Sequence, residues 1–306
     1  MTTALFTHPA CLAHDTGPWH PERPERLSAV LAALEAPEFA PLLREEAPEA
    51  TREQLLLAHP ARYVDAVLAQ RPAPGRHVQL DADTVLSAGT AEAALRAAGG
   101  ACAAVDAVME GWARTAFVAT RPPGHHAEAA RAMGFCFFAN AAITAFHARA
   151  RWGVGRVAVV DFDVHHGNGT QHILEDDPAF FYASSHQWPC YPGTGATSER
   201  GVAQNVVNLP LPPGTDGVGF RRAWERDGLP ALALFEPELV VVSAGFDAHR
   251  ADPLAELRLG TDDFGWITDQ LMAVTGGRLV SVLEGGYDLD ALAASAAVHV
   301  RRLMGA

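Results

Sequence analysis

RVAVVDFDVHHGNG, residues 156–169, is the stretch whose reading decides the fold. Val157 to Val160 is apolar without alternation, as expected of a strand covered on both faces, and such strands belong to parallel sheets. The run ends abruptly in Asp161, Asp163, His165 and His166. LVVVSA (239–244) repeats the pattern and runs into GFDAH (245–249). Working outward, strands are expected at Thr115–Ala119, Arg156–Phe162, Phe180–Ala183, Glu238–Ser243 and Arg278–Leu283. Helical periodicity is expected over Arg26–Leu34, Thr90–Glu110, Ala139–Arg151, Gly219–Leu234, Asp262–Val274 and Leu289–Leu303. Strand and helix alternate, which predicts an α/β fold with a mostly parallel central sheet flanked by helices. No repeat, charge block or long linker divides the chain, so residues 1–306 are expected to form a single domain. The Pro-rich patches Arg71–Gly75 and Leu209–Gly214 read as loops within it.

Composition narrows the classes. Of 306 residues, 49% are hydrophobic and 19% charged, which excludes disorder and low complexity. The formal net charge of -13 opposes a phosphate backbone, so no direct nucleic-acid partner is expected. It would steer cationic substrates, although solubility alone accounts for an acidic surface. Cys11, Cys102, Cys136 and Cys190 are scattered, so neither a disulfide framework nor a cysteine-rich zinc site is expected. The N-terminus lacks the basic and apolar regions of a secretory signal. Ala91–Val108 is interrupted by Glu92, Arg96 and Asp106 and reads as a helix that does not enter a membrane. A cytoplasmic protein is the expectation.

The informative feature is where the polar residues fall. TAFVAT (115–120) runs into RPPGHH, FFYAS (180–184) into SHQWPCYPGTG, and LVSVL (279–283) into EGGYD. In a parallel sheet the carboxyl ends of strands share one edge, where ligands bind. Loops distant in sequence therefore converge on one site.

Residues two apart on a strand share a face, so Asp161, Asp163 and His165 project together. Two carboxylates and an imidazole aimed one way call for a cation, and Asp247 offers a further carboxylate from a neighbouring strand end. A catalytic zinc takes three protein ligands and keeps one position open. For one motif alone, a hydrogen-bonded polar network is an equal reading; the other loops move the balance to a metal. His125 and His126, in a Pro/Gly-fixed turn, suit a general base and an electrostatic partner, with Asp161 and Asn168 available to orient one ring each. Tyr287 follows paired glycines that permit close approach, and its phenol can donate to a developing oxyanion.

RPPGHH, GFCFFAN, VVDFDVHHGNGT, YPGTG, SAGFDAHRADPL and LEGGYDL together resemble the zinc-dependent histone deacetylase superfamily, which includes bacterial deacetylase-like amidohydrolases, acetoin-utilisation proteins and acetylpolyamine amidohydrolases. The resemblance runs from His20 to Leu289, and the GNG and EGGY variants are similar to its class II branch. It implies an arginase/deacetylase-like fold and zinc-dependent hydrolysis of an N-acetyl or similar amide on lysine or another primary amine. It implies Asp163, His165 and Asp247 as zinc ligands, Asp161 as the partner of His125, and His126, paired with Asn168, as general base and then acid. Tyr287 would polarise the carbonyl. Phe135 and Tyr191 would wall the acyl tunnel, the Gly134 carbonyl would accept the substrate amide N–H, Asp83 would meet the substrate backbone, and Arg26 would line an acetate exit. Tyr191 departs from the usual Phe. Leu254 stands where some polyamine-selective relatives carry an acidic gatekeeper, which resembles the lysine-deacetylase side; an acetylpolyamine amidohydrolase is the alternative. Fe(II) is a second candidate metal and K+ a candidate structural cation. The expected partner is an acylated lysine or other acyl-amine, with no membrane and with room for a homo-oligomer. A non-catalytic acyl-lysine-binding module would have lost a ligand, a histidine or the tyrosine, and all are present. An arginase-like two-manganese site needs further ligands that the sequence does not assemble.

Overall fold

The valine runs lie at the middle of a sheet. In the computed structural model, which describes residues 1–305, the strands in chain order are β1 (Thr3–Thr7), β2 (Leu43–Glu46), the short antiparallel pair β3 (Val78–Gln79) and β4 (Val85–Leu86), β5 (Thr115–Val118), β6 (Val157–Asp161), β7 (Phe180–Gln187), β8 (Val206–Leu211), β9 (Leu239–Ala244) and β10 (Leu279–Leu283). The α-helices are α1 (Pro24–Ala33), α2 (Arg52–Leu55), α3 (Ala61–Ala69), α4 (Thr90–Glu110), α5 (Asn140–Trp152), α6 (Asn168–Leu174), α7 (Gly217–Ala223), α8 (Leu229–Phe235), α9 (Thr261–Val274) and α10 (Leu289–Leu303). Eight strands form one sheet in the order β2-β1-β5-β10-β9-β6-β7-β8, with every neighbouring pair parallel. The α/β expectation holds.

The period of two along β6 explains why both faces had to be apolar. Val157 and Val159 belong to the core cluster that contains the alanines of α4 and α5, while Ala158 and Val160 belong to the opposite cluster, with Phe264 and Ile267 of α9 and Ala296 and Val300 of α10. Each face is thus sealed by helices, and only the strand ends remain for chemistry.

Two expectations need correction. Leu209–Leu211, read as loop, is the end of β8; Pro210 is admitted because β8 is an edge strand, where a missing N–H breaks no inner ladder. The single helix expected over Gly219–Leu234 is α7 and α8 joined by a π-helical turn at Trp224–Gly228. Pro230 cannot donate to the preceding turn, and the helix widens just before it. The four cysteines are free. Among the described residues, no helix is long and apolar enough to cross a membrane.

With all eight strands parallel, the segments following β5, β6, β7, β9 and β10 emerge from one edge of the sheet. RPPGHH, DFDVHH, YPGTG, GFDAH and EGGY therefore meet.

Candidate active site

β6 ends at Asp161, and the chain beyond it folds back on its own carboxylates. Asp163 N–H donates to Asp161 Oδ1 (3.1 Å) and His165 N–H to Asp163 Oδ1 (2.9 Å). Val164 N–H donates across to Asp247 Oδ1 (2.8 Å), which ties the β6 and β9 loops together. The result brings Asp163, His165 and Asp247 face to face. One ligand atom from each lies within 4.8 Å of the others. His165 Nδ1 is 3.2 Å from Asp163 Oδ1 and 3.2 Å from Asp247 Oδ2. Both aspartates are buried, while the His165 side chain keeps 11% of its surface open to an incoming ligand. Burial, reinforced by the neighbouring Asp163 charge, pushes Asp247 up to about 7. Burial opposes the charged forms of Asp163 and His165 too. The attraction of His125 and His165 nevertheless holds Asp163 low, and the hydrogen bonds to Asp163 and Asp247 hold His165 high. Buried carboxylates in this state are what a divalent cation relieves.

The histidine pair is split by its partners. His125 Nδ1 meets Asp161 Oδ2 (3.0 Å), and Asp161 also accepts from the Tyr182 hydroxyl (3.2 Å). His126 Nδ1 meets Asn168 Oδ1 (2.8 Å), and Asn168 Nδ2 in turn donates to Glu128 (2.5 Å). An amide oxygen only accepts, so His126 carries its proton on Nδ1 and leaves Nε2 free. Burial works against a charge on His125, but Asp163 and Asp161 outweigh it and raise its pKa to about 10. Burial, then the charges of His125 and His165, drive His126 well below its ordinary value. The two rings are thus pushed in opposite directions although their centroids are only 4.0 Å apart.

Tyr287 faces this cluster from the β10 loop. Its backbone N–H donates to Asp252 Oδ2 (2.7 Å), and the Arg26 guanidinium sits 4.8 Å from its ring centroid. Burial raises the phenol well above its ordinary value, so it stays a donor. Among the described residues its hydroxyl has no hydrogen-bond partner. Arg26 is fully buried behind it, donating to Gly286 O and Glu284 O (2.5 Å each) and to Glu22 Oε1 (3.1 Å). Glu22 also holds Arg121. Gly245 and Gly285 have to be glycine: a Cβ at Gly245 would strike the Asp163 carboxylate, and one at Gly285 would strike both Asp247 and Asp163.

Two rings flank the approach. Tyr191 packs edge-on to His126 (5.0 Å) and Phe135 edge-on to Tyr287 (5.9 Å). Gly134 precedes Phe135, with its carbonyl accepting from Cys136 Sγ (3.2 Å). Asp83 lies beside this turn, pushed up by burial and by Asp81. Leu254 is 37% exposed on the Asp252 loop, and among the described residues no ring contact or hydrogen bond joins its side chain to the other site residues.

Several residues that shape the site went unread in the sequence. Glu284 accepts from Gly124 N–H (2.7 Å), His125 N–H (3.2 Å) and the Ser243 hydroxyl (3.1 Å), so it fixes the backbone of the histidine pair. His59 staples the base of the Phe135 loop through Ala129 O and Ala139 N–H (2.9 Å each), and Tyr63 donates to Phe137 O (2.6 Å). The available signals were the acidic letter of EGGY and HPARY at 59–63, which puts one polar side chain just before α3 and another in its first turn.

The cluster of two aspartates and a histidine at the strand ends could hold a metal ion, and the class to which such a site belongs follows from the chain's relatives. The chain belongs to the histone deacetylase family: the histone deacetylase domain matches residues 20–303. It is 41% identical to the histone deacetylase-like amidohydrolase of Pseudomonas aeruginosa, over 93% of this chain and 81% of that protein. It is 39% identical to the human polyamine deacetylase HDAC10, over 93% of this chain and 44% of that protein. The crystal structure of the HDA15 HD domain superimposes with a TM-score of 0.94 at 35% identity, covering 99% of this chain and 88% of that one. The protein is an amide-hydrolysing deacetylase of a metal-dependent family.

Proposed function

We propose that residues 1–306 act as one catalytic unit that removes the acetyl group from acetyl-lysine, with zinc held by Asp163, His165 and Asp247. The observation that carries this reading is the single His165 nitrogen equidistant, at 3.2 Å, from two buried carboxylates. One nitrogen shares at most one proton, whereas one nitrogen and two oxygens suit a divalent ion that keeps a further position open. When bound, the ion supplies Lewis acidity, bringing a water to a pKa of about 7 and polarising the acyl carbonyl.

The remaining work falls to side chains. His126 Nε2 takes a proton from the attacking water while Asn168 keeps Nδ1–H in place. The same nitrogen then delivers that proton to the departing amine, so water and amide become acetate and a free amine. Burial first, and then the neighbouring His125 anchored on Asp161, favour the neutral form of His126. Tyr287 donates to the carbonyl oxygen as it gains charge. Phe135 and Tyr191 flank the acyl chain, the Gly134 carbonyl meets the amide N–H, Asp83 meets the substrate backbone, and Arg26 stands behind Tyr287 toward an acetate exit.

An acetylated polyamine is the competing substrate, being the class named for the human relative. Leu254 argues against it: an apolar, half-exposed side chain offers a distal ammonium no partner. A panel of acetyl-lysine peptide, acetylputrescine and acetylspermidine on the zinc-loaded protein tests both points. Turnover led by the peptide, abolished by chelation and restored by zinc, is the expected result. Chelator-resistant hydrolysis would remove the metal from the reading, and preference for the polyamines would reassign the substrate. Elemental analysis distinguishes zinc from Fe(II) and reports any bound K+.

A further inference from the structure

The turn bearing Phe135 is held in place by a residue outside the site described above. Met133 and Cys136 exchange backbone hydrogen bonds (3.2 and 2.9 Å) around Gly134 and Phe135. Those two central residues have φ of +55° and +69°, both left-handed, as in hairpin turns of type I′. Glycine tolerates this, whereas a phenylalanine keeps such a conformation only where its surroundings over-determine it. The determining contact is Thr84. Its side chain is fully buried, its Oγ1 accepts the Phe135 N–H at 3.1 Å, and its hydroxyl donates to Asp83 Oδ1 at 3.2 Å. His20 closes the cluster, reaching the Asp83 carbonyl through Nε2 (3.0 Å) and laying its ring edge-on to Phe135 (4.8 Å).

We propose that Thr84 is a specificity-determining positioning residue, whose hydroxyl joins the rim carboxylate Asp83 to the Phe135 wall and thereby sets the acyl size the tunnel accepts. The inference rests on the acyl-lysine reading given above. With the hydroxyl engaged, Phe135 is pinned in its left-handed conformation beside Tyr287. Without it, the Phe135 N–H is orphaned, the turn is free to relax toward negative φ, and the ring moves with it. Acyl selectivity and the seating of the amine side are therefore set by one hydrogen-bonded chain, Asp83–Thr84–Phe135.

Thr84→Val keeps the branched shape and removes the acceptor; Thr84→Ser keeps the hydroxyl. Wild type and both variants, zinc-loaded, are assayed for kcat and KM on peptides bearing acetyl-, propionyl- and butyryl-lysine. For Thr84→Val the acetyl-to-butyryl ratio of kcat/KM should fall by about fivefold, the scale of one hydrogen bond of ordinary net strength. Thr84→Ser should keep the wild-type ratio. In a Phe135→Leu background Thr84→Val should leave the ratio unchanged, because Thr84 acts through the ring, whereas general loosening would change it there as well. If Thr84→Val does not fold, Thr84→Cys, a poor acceptor of similar size, is judged by the same ratios. An active wild type whose ratio survives Thr84→Val within twofold overturns this proposal and leaves the function standing. A wild type that hydrolyses none of the peptides overturns the acyl-lysine reading itself.

Discussion

Replacing Tyr287 by phenylalanine removes one oxygen atom and little else. The hydroxyl has no protein partner among the described residues, so no buried group is orphaned when it goes. The ring keeps its edge contact with Phe135 and its place against Arg26, and the backbone N–H keeps Asp252. Stability should therefore stay within about 0.5 kcal/mol of wild type, and the proposed ligands Asp163, His165 and Asp247 are untouched. Catalysis should not be spared. A preorganised donor aimed at a developing oxyanion contributes about 2.7–4 kcal/mol, or roughly a hundred- to a thousandfold in kcat. Because the phenol strengthens its interaction only as charge develops on the carbonyl oxygen, KM should change far less than kcat. Steady-state kinetics on an acetyl-lysine peptide, with zinc content and thermal midpoint measured on the same preparation, check all three parts. A variant with full zinc, an unchanged midpoint and kcat within a few-fold of wild type would show that the phenol does not act on the carbonyl.

Three further outcomes follow from other parts of the molecule. Asp247→Ala should lose zinc and activity together by elemental analysis and assay, since one of three converging ligand atoms is gone; retained zinc would redraw the ligand set. His299 is buried between Ser281 Oγ on Nε2 (2.8 Å) and Thr268 Oγ1 on Nδ1 (2.7 Å), with the Thr268 hydroxyl already spent on Phe264 O. His299→Ala should cost about 3–5 kcal/mol in chemical denaturation through the cavity and the unpaired hydroxyl, and a loss under about 1 kcal/mol would contradict that packing. Burial lowers His59 from 6.5 to about 4. An unfolded chain binds that proton more readily, so the stabilisation is whole above pH 6.5 and drains away as pH falls toward 4, by up to about 3 kcal/mol. The thermal midpoint of wild type should thus drop more steeply between pH 6.5 and 4.5 than that of His59→Gln; parallel curves would exclude His59 as a source of acid lability.

What could be read in advance followed the periodicities. β5, β6, β7, β9 and β10 were legible because unbroken apolar runs end in polar bursts. Asp161, Asp163 and His165 were legible as the burst that closes β6, although the strand ends at Asp161, so strand alternation does not align them, and Asp161 turns to His125 instead. β1, β2 and β8 were not. β1 is a five-residue strand at the N-terminus, β2 is an exposed LREE edge, and β8 contains a proline. Within the site, reactive side chains were visible and their supports were not. Glu284, Asp252, Thr84 and His59 act mainly on backbone N–H and C=O groups dozens of residues away. No spacing in the chain encodes such a pairing; only the folded path of the loops creates it.

Two of those supports, Glu284 and Asp252, meet in four consecutive residues after β10. The Glu284 carboxylate holds the Gly124 and His125 amides, and its carbonyl is held by Arg26. Gly285 N–H donates to Asp163 Oδ2 (2.8 Å). Gly286 O accepts from Arg26, and Tyr287 N–H donates to Asp252, on the loop that also carries Asp247. The electrostatic partner of the proposed base, one proposed ligand, the loop of a second and the proposed oxyanion donor therefore share one short peptide as their common reference. The direct bonds between the loops after β5, β6 and β9 add to this shared reference, as in Val164 N–H to Asp247 and His126 to Asn168. The shared peptide makes the cost of error asymmetric. A methyl group at Gly285 would strike Asp247 and Asp163 at once, so a single substitution there would displace two carboxylates, whereas a change on the open side of Leu254 would displace none.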